Sequence, residues 1–135
     1  MYTRILSTTS SGSSEQMKRR DAGAIRHMIE IKVSYDRDRE RAFTNTHFWA
    51  ALGLEPEQKE DIEDPLVMER VARENLDQAP RRFICSDDPE EVVEKIRVYT
   101  ELGFDELLLH APGHDQRRFF EQFGEDVLPL LRDRL

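Results

Sequence analysis

The sequence holds one cysteine, Cys85, in 135 residues. A single thiol excludes an intrachain disulfide and a cysteine-based zinc site. Lysine is nearly as scarce. Lys18, Lys32, Lys59 and Lys95 are the only lysines, so arginine carries most of the positive charge. The formal net charge of −8 argues against a nucleic-acid-binding surface and against an anionic-membrane binder. No apolar run approaches the roughly 18 residues that a membrane span needs. The N-terminus lacks the apolar core of a signal peptide. These absences leave one domain in a reducing, cytoplasmic compartment as the expectation.

What is present has a readable period. "MIEIKVSY" (28–35) sets Ile29, Ile31, Val33 and Tyr35 against Glu30, Lys32 and Ser34, the alternation of a strand. "RERAFTNTHFWAALGL" (39–54) reads as one helix that stops at Gly53. "EPEQKEDIED" (55–64) is a polar connector. Asp64 and Pro65 then mark a helix start, with Leu66, Met68 or Val67, Val71 and Leu76 facing inward. "FICS" is a short extended run. Asp88 caps the next helix, Pro89 takes its first position, and Glu91 completes an Asp-x-x-Glu box. Val92, Ile96 and Tyr99 repeat at helical spacing before Gly103 ends the helix. "ELLLH" reads as a strand whose Leu107–Leu109 run is continuously apolar, as a parallel strand covered on both faces would be. A last helix buries Phe119, Phe120, Phe123, Val127, Leu130 and Leu131, with Pro129 kinking or splitting it. The tract "STTSSGSS" (7–14) favours loop, and residues 1–27 as a whole are assigned to helix or loop. The order is that of an α/β fold with parallel strands, yet two or three such strands cannot close a sheet.

The stretches "MIEIKVSYDRDRERA", "FWAALGLEPEQKEDIEDPLVMER" and "HAPGHDQRRF" resemble the C-terminal part of coenzyme F420-dependent oxidoreductases of the luciferase-like monooxygenase superfamily. The likeness is strongest to the glucose-6-phosphate dehydrogenase branch. It runs over residues 28–135 and weakens over 1–27. The resemblance implies the C-terminal portion of a (β/α)8 TIM barrel: the last two βα units with a helical insertion between them. "IEIKVSY" would be the seventh strand and "ELLLH" the eighth. The family's first six strands, which carry most of the deazaflavin site and the catalytic acid–base residues, have no counterpart here. No catalytic residue is therefore carried over.

By the same resemblance, Lys59 and Arg82 match basic residues of the family's sugar-phosphate pocket. A phosphate needs fixed cationic donors, and a lysine point charge with an arginine fork supplies them. Two departures from the family pattern stand beside this match: Glu60 follows the lysine, and the spacing to Arg82 needs a one-residue gap, which makes Arg81 the alternative. The bland reading is a solvated charge pair. His110 ends the last strand, on the edge that faces the active site in barrels. It is a pocket-lining candidate, or else a strand-end histidine bonded to the next turn. His114 reads as surface, Cys85 as an inert buried thiol, and the Phe43, Phe48 and Trp49 group as core. His27, His110 and His114 show no metal-ligand spacing.

The resemblance implies a fragment or subunit of an F420-dependent oxidoreductase that moves hydride between a sugar phosphate, or an alcohol-type substrate, and the deazaflavin. It would be inactive alone, and a companion chain would supply strands one to six. The alternative is a truncated, non-catalytic remnant that forms a homo-oligomer.

Overall fold

A computed structural model describes residues 2–6 and 25–134. Four strands form one sheet in the order β1–β4–β2–β3: β1 (Tyr2–Leu6), β2 (Met28–Tyr35), β3 (Ile84–Ser86) and β4 (Glu106–His110). β2 is parallel to both neighbours. Met28–Lys32 pairs with Glu106–His110 on one side, and Val33–Tyr35 pairs with Ile84–Ser86 on the other. β1 runs antiparallel to β4, with Tyr2 opposite His110 and Leu6 opposite Glu106. This strand departs from the helix-or-loop expectation for residues 1–27. A five-residue segment satisfies the backbone groups that β4 would otherwise leave open on its outer edge. The serine tract lies outside the described residues.

The period-two pattern of β2 decides where the core sits. Ile31, Val33 and Tyr35 are buried with Leu107 and Leu109 of β4 against two helices. One is α5 (Pro89–Glu101), through Val92, Val93 and Ile96; the other is the C-terminal helix, through Phe119, Phe123, Val127 and Leu131. The opposite face carries Glu30, Lys32, Ser34 and His110.

Among the described residues, five helices lie before β4. α1 is Arg39–Thr44, α2 Ala50–Gly53, α3 Pro56–Lys59 and α4 Pro65–Glu74, and α5 follows β3. The single helix expected over 39–54 is broken into α1, a 3-10 turn at His47–Trp49, and α2. The Thr46 hydroxyl donates to the Phe43 carbonyl at 2.7 Å, a back-bond that competes with helix propagation. α3 replaces part of the expected connector. Its first turn is closed by Gln58, whose Oε1 accepts from the Glu55 N–H at 2.8 Å. Asp64 caps α4 by accepting from Leu66 N–H. Leu66 points to solvent and is not in the core, while Ala72 is buried with Met68, Val71 and Leu76 beside it. Asp88 caps α5 as expected. Glu91 makes no capping box. It bonds the Ser86 hydroxyl and Lys95, and Ser86 Oγ takes the Asp88 N–H.

The last helix is split, one turn before its proline. α6 (Gln116–Gln122) passes through a π turn at Phe123–Val127 into α7 (Leu128–Arg134). Pro129 cannot donate to the carbonyl four residues earlier, and Leu128 N–H reaches back to Phe123 O instead.

Two glycines are required by geometry. Gly103 has φ +96. Its N–H bonds Thr100 O and the Phe104 N–H bonds Tyr99 O, the paired bonds of a Schellman stop. Gly53 is buried, and a Cβ there would lie 2.2 Å from the Gln78 carbonyl oxygen. The helix stops at Gly53 as expected, but what requires glycine there is close backbone approach and not a positive φ. Gly103→Ala should cost roughly 1–2 kcal/mol in chemical denaturation, the left-handed penalty alone, because its Cβ meets nothing within 4 Å. Gly53→Ala should cost more than Gly103→Ala in the same measurement, since backbone must move.

Candidate functional site

Lys59 and Arg82 lie 23 positions apart in sequence and reach the same cavity of about 570 Å³. Lys59 is the last residue of α3, and Arg82 ends the 3-10 segment Leu76–Arg82. Asn75 couples these elements: its Oδ1 accepts from Gln58 Nε2 and from Gln78 Nε2, each at 3.2 Å. Gly53 seats α2 against Gln78 on the same side. Beyond Lys59, Asp61 adopts φ 64, a left-handed turn that aspartate tolerates, and the chain leaves the cavity. Glu60 is exposed and takes no part in the wall.

The rest of the wall is Glu30, Ile31 and Lys32 of β2, Leu52, Arg81, Phe83, Ile84 and Tyr99. Both arginines of the ambiguous pair are therefore present. Their commitments differ. Arg81 is ion-paired with Glu55 at 2.6 Å. Arg82 donates from Nε to the Leu52 carbonyl at 3.3 Å. Among the described residues neither Arg82 nor Lys59 is ion-paired with a carboxylate. Lys32 is held by Glu30, with Nζ 2.9 Å from Oε1. The cavity thus combines two cations that lack a carboxylate partner among the described residues with a polar strand face and an apolar back of Leu52, Phe83, Ile84 and Tyr99. An arrangement of this kind can grip an anionic group and cover an apolar or ring surface beside it.

His110 does not reach the cavity wall. It is buried at the end of β4, across from Lys32 in register. Its ring stands perpendicular to Trp49 at 5.1 Å, and Nδ1 lies 3.7 Å from Glu30 Oε1. Burial pushes its pKa below the ordinary histidine value, against the pull of the Glu30 carboxylate. Glu30 stands between this histidine and the cavity, so the strand end expected to line a pocket is one residue layer behind it.

At the C-terminal end of β2, the end at which barrel enzymes bind ligands, charged side chains are paired with one another. Asp36 is buried and receives Arg118 through two bonds, Nε at 2.7 Å and the terminal nitrogen at 2.9 Å. The guanidinium holds the Asp36 carboxyl below its usual pKa. Next to it, Arg37 pairs with Asp126 and Glu125, and the Tyr35 hydroxyl donates to Asp126 at 2.8 Å. Burial and that acceptor push the Tyr35 pKa up. The pocket beside these groups, lined by Ser34, Asp36, Pro112 and Arg118, measures about 20 Å³, room for roughly one water. Sequence reasoning assigned no site role to Asp36, Arg118 or Glu30. The alternation of β2 was the available signal for Glu30; the other two are joined only by the fold.

Cys85 is half-buried, its Sγ 3.3 Å from the Ala42 carbonyl. That carbonyl also accepts from Ser34 Oγ at 2.6 Å. Burial raises the thiol's pKa. His114 is exposed against Phe48. Phe48 is itself exposed, so the aromatic group around Trp49 is not a core stripe; Trp49 instead bonds the Pro112 carbonyl through Nε1 at 3.3 Å. Among the described residues no three His, Cys, Asp or Glu side chains converge as metal ligands, and no helix is long and apolar enough to cross a membrane.

No family model matches the chain. Individual relatives do. F420-dependent glucose-6-phosphate dehydrogenase of Nakamurella multipartita is 59% identical over 106 residues, 78% of this chain and 31% of that protein. The enzyme of the same name from Rhodococcus erythropolis is 46% identical over 134 residues, 98% of this chain and 39% of that protein. The solved structure of an F420-dependent secondary alcohol dehydrogenase in complex with an F420-acetone adduct superposes with a TM-score of 0.60 at 26% identity. It covers 87% of this chain and 37% of the other. The chain thus spans about a third of the length of the curated relatives it matches.

Asp36 gives a pH prediction. A carboxyl whose folded pKa lies below its unfolded value near 3.8 contributes fully above that value, and the contribution is lost as pH falls through the folded pKa. Asp36→Asn should lower the melting temperature at pH 7, and its deficit against the parent should shrink below about pH 4. A deficit that stays constant across a melting series from pH 7 to pH 3 would mean that the Arg118 pair does not set it.

Proposed function

The chain is a homologue of the C-terminal part of coenzyme F420-dependent oxidoreductases, in the glucose-6-phosphate dehydrogenase branch of the luciferase-like superfamily, and from that premise we propose that it supplies the substrate-phosphate pocket of a hydride-transfer enzyme. Lys59 and Arg82 are the phosphate ligands, and the substrate is a phosphorylated sugar. The observation that carries the reading is the convergence of these two cations, which lack carboxylate partners among the described residues, from separate elements on one cavity of about 570 Å³. The size suits a small molecule. Arg81 is spoken for by Glu55, which favours Arg82 for the phosphate.

The hydride would pass between the sugar and coenzyme F420. Among the described residues, the pocket of about 20 Å³ beside Asp36 and Arg118 is too small to hold that cofactor's ring system. The walls of the cofactor site come from the other two thirds or so of a relative's length, on the same polypeptide or on a companion chain. In this division of labour the cofactor carries the chemistry, and these residues hold and orient the substrate.

Two outcomes check the proposal. In a complete barrel containing this segment, Lys59→Ala should raise KM for a phosphorylated sugar roughly ten- to a hundredfold, the worth of a charge-assisted bond. KM for a neutral alcohol should stay unchanged; equal effects on both would remove the phosphate assignment. The 135-residue chain by itself should show no loss of F420 absorbance with glucose 6-phosphate; turnover by that chain would overturn the division of labour.

A further inference from the structure

The phosphate reading leaves one wall of the cavity unexplained. Glu30 and Lys32 are two residues apart on β2, so their side chains leave the same face of the strand. Both border the cavity that holds Lys59, Arg81 and Arg82. A carboxylate in such a wall repels a phosphate and weakens the field that the cations create. For inorganic phosphate alone it is a defect.

It stops being a defect when the ligand brings hydrogen-bond donors. An ionised carboxylate is an acceptor only, with two oxygens free to take hydroxyl protons. The bond from Lys32 favours that ionised form and lowers the Glu30 pKa. One Glu30 oxygen, Oε1, already faces Lys32 at 2.9 Å and His110 Nδ1 at 3.7 Å. These neighbours fix the direction of the carboxylate. Lys32 has three N–H bonds to give and spends one on Glu30. Side by side, the pair offers an acceptor and a donor, which matches the neighbouring hydroxyls of a polyol. Tyr99 and Phe83 add apolar surface nearby.

Resting on the phosphate reading above, we propose that Glu30, oriented by Lys32, is the specificity-determining residue of this pocket: it reads the hydroxyls of a polyhydroxylated phosphate ester and disfavours bare phosphate. Lys59 and Arg82 supply affinity for the anion, and Glu30 supplies the preference for what is attached to it. A phosphate ester with no hydroxyls would be held no better than inorganic phosphate.

Calorimetric titration of the 135-residue chain with inorganic phosphate, glucose 6-phosphate and glucose tests this. The parent should bind glucose 6-phosphate about tenfold or more tighter than inorganic phosphate. Glu30→Gln, an isosteric change at a side chain open to solvent, should lose that margin while binding inorganic phosphate as well as the parent or better. Glu30→Asp keeps the charge and shortens the reach; it should lose the margin without gaining inorganic phosphate. Equal tightening of both ligands by Glu30→Gln would overturn the proposal, because Glu30 would then be only a source of repulsion. So would a margin unchanged in Glu30→Asp. Lys59→Ala separates the two readings. It should weaken both phosphates together. If it weakens neither, the phosphate pocket fails; if it weakens both while Glu30→Gln leaves the margin intact, only the hydroxyl reading fails. A parent that binds neither phosphate overturns both.

Discussion

One strand with two chemically opposite faces organises the molecule. β2 is held by parallel pairing to β4 over Met28–Lys32 and to β3 over Val33–Tyr35. Its odd positions drive the hydrophobic contact with α5 and the C-terminal helix. Its even positions carry Glu30, Lys32 and Ser34 to the other side. The period of a strand is two, so neither set can move without the other. A slip of one residue would put Val33 in the polar face and Lys32 in the core. Core and site are thus one decision, made by the register of a single strand.

Charges are used differently at the two ends of that strand. At the C-terminal end Asp36, Arg37, Arg118 and Asp126 are consumed by architecture, tying the turn after β2 to α6 and the π turn. Exposed pairs contribute little individually, but Asp36 is buried, and an unpaired carboxylate there would be costly. Toward the other end, Lys59 and Arg82 are left uncommitted among the described residues. Where cations are already matched, an anion gains little by arriving. Where they are not, the proposed phosphate would complete the pairing.

Much of the fold was legible because local chemistry and tertiary structure agree. The strand at 28–35, the caps at Asp64 and Asp88, the stop at Gly103 and the apolar face of the last helix all follow from period and terminus signals. The failures have physical causes. Thr46 back-bonds and breaks a helix whose apolar spacing looked continuous. Leu66 belongs to a short helix whose buried side is fixed by Ala72. Glu91 had the right spacing for a box, yet Ser86 and Lys95 were nearer partners. In the site, Lys59 and Arg82 came from resemblance, because two exposed-type cations 23 residues apart carry no local signal. The resemblance likewise could not say that Arg81 was engaged by Glu55, or that His110 would stand behind Glu30. Those facts depend on distances between elements, which period and composition do not encode.

The contact at Gly53 has a consequence that reaches beyond its own packing. It lets two stretches of main chain touch, one leading into α3 and Lys59, the other into the turn that ends at Arg82. The separation of the two cations is therefore gauged by a residue that meets neither of them. A bulkier side chain at this position would press the two stretches apart and with them the walls of the proposed phosphate pocket. The width of that proposed pocket is thus set in part at a position that does not line it, and a comparison confined to lining residues would miss it.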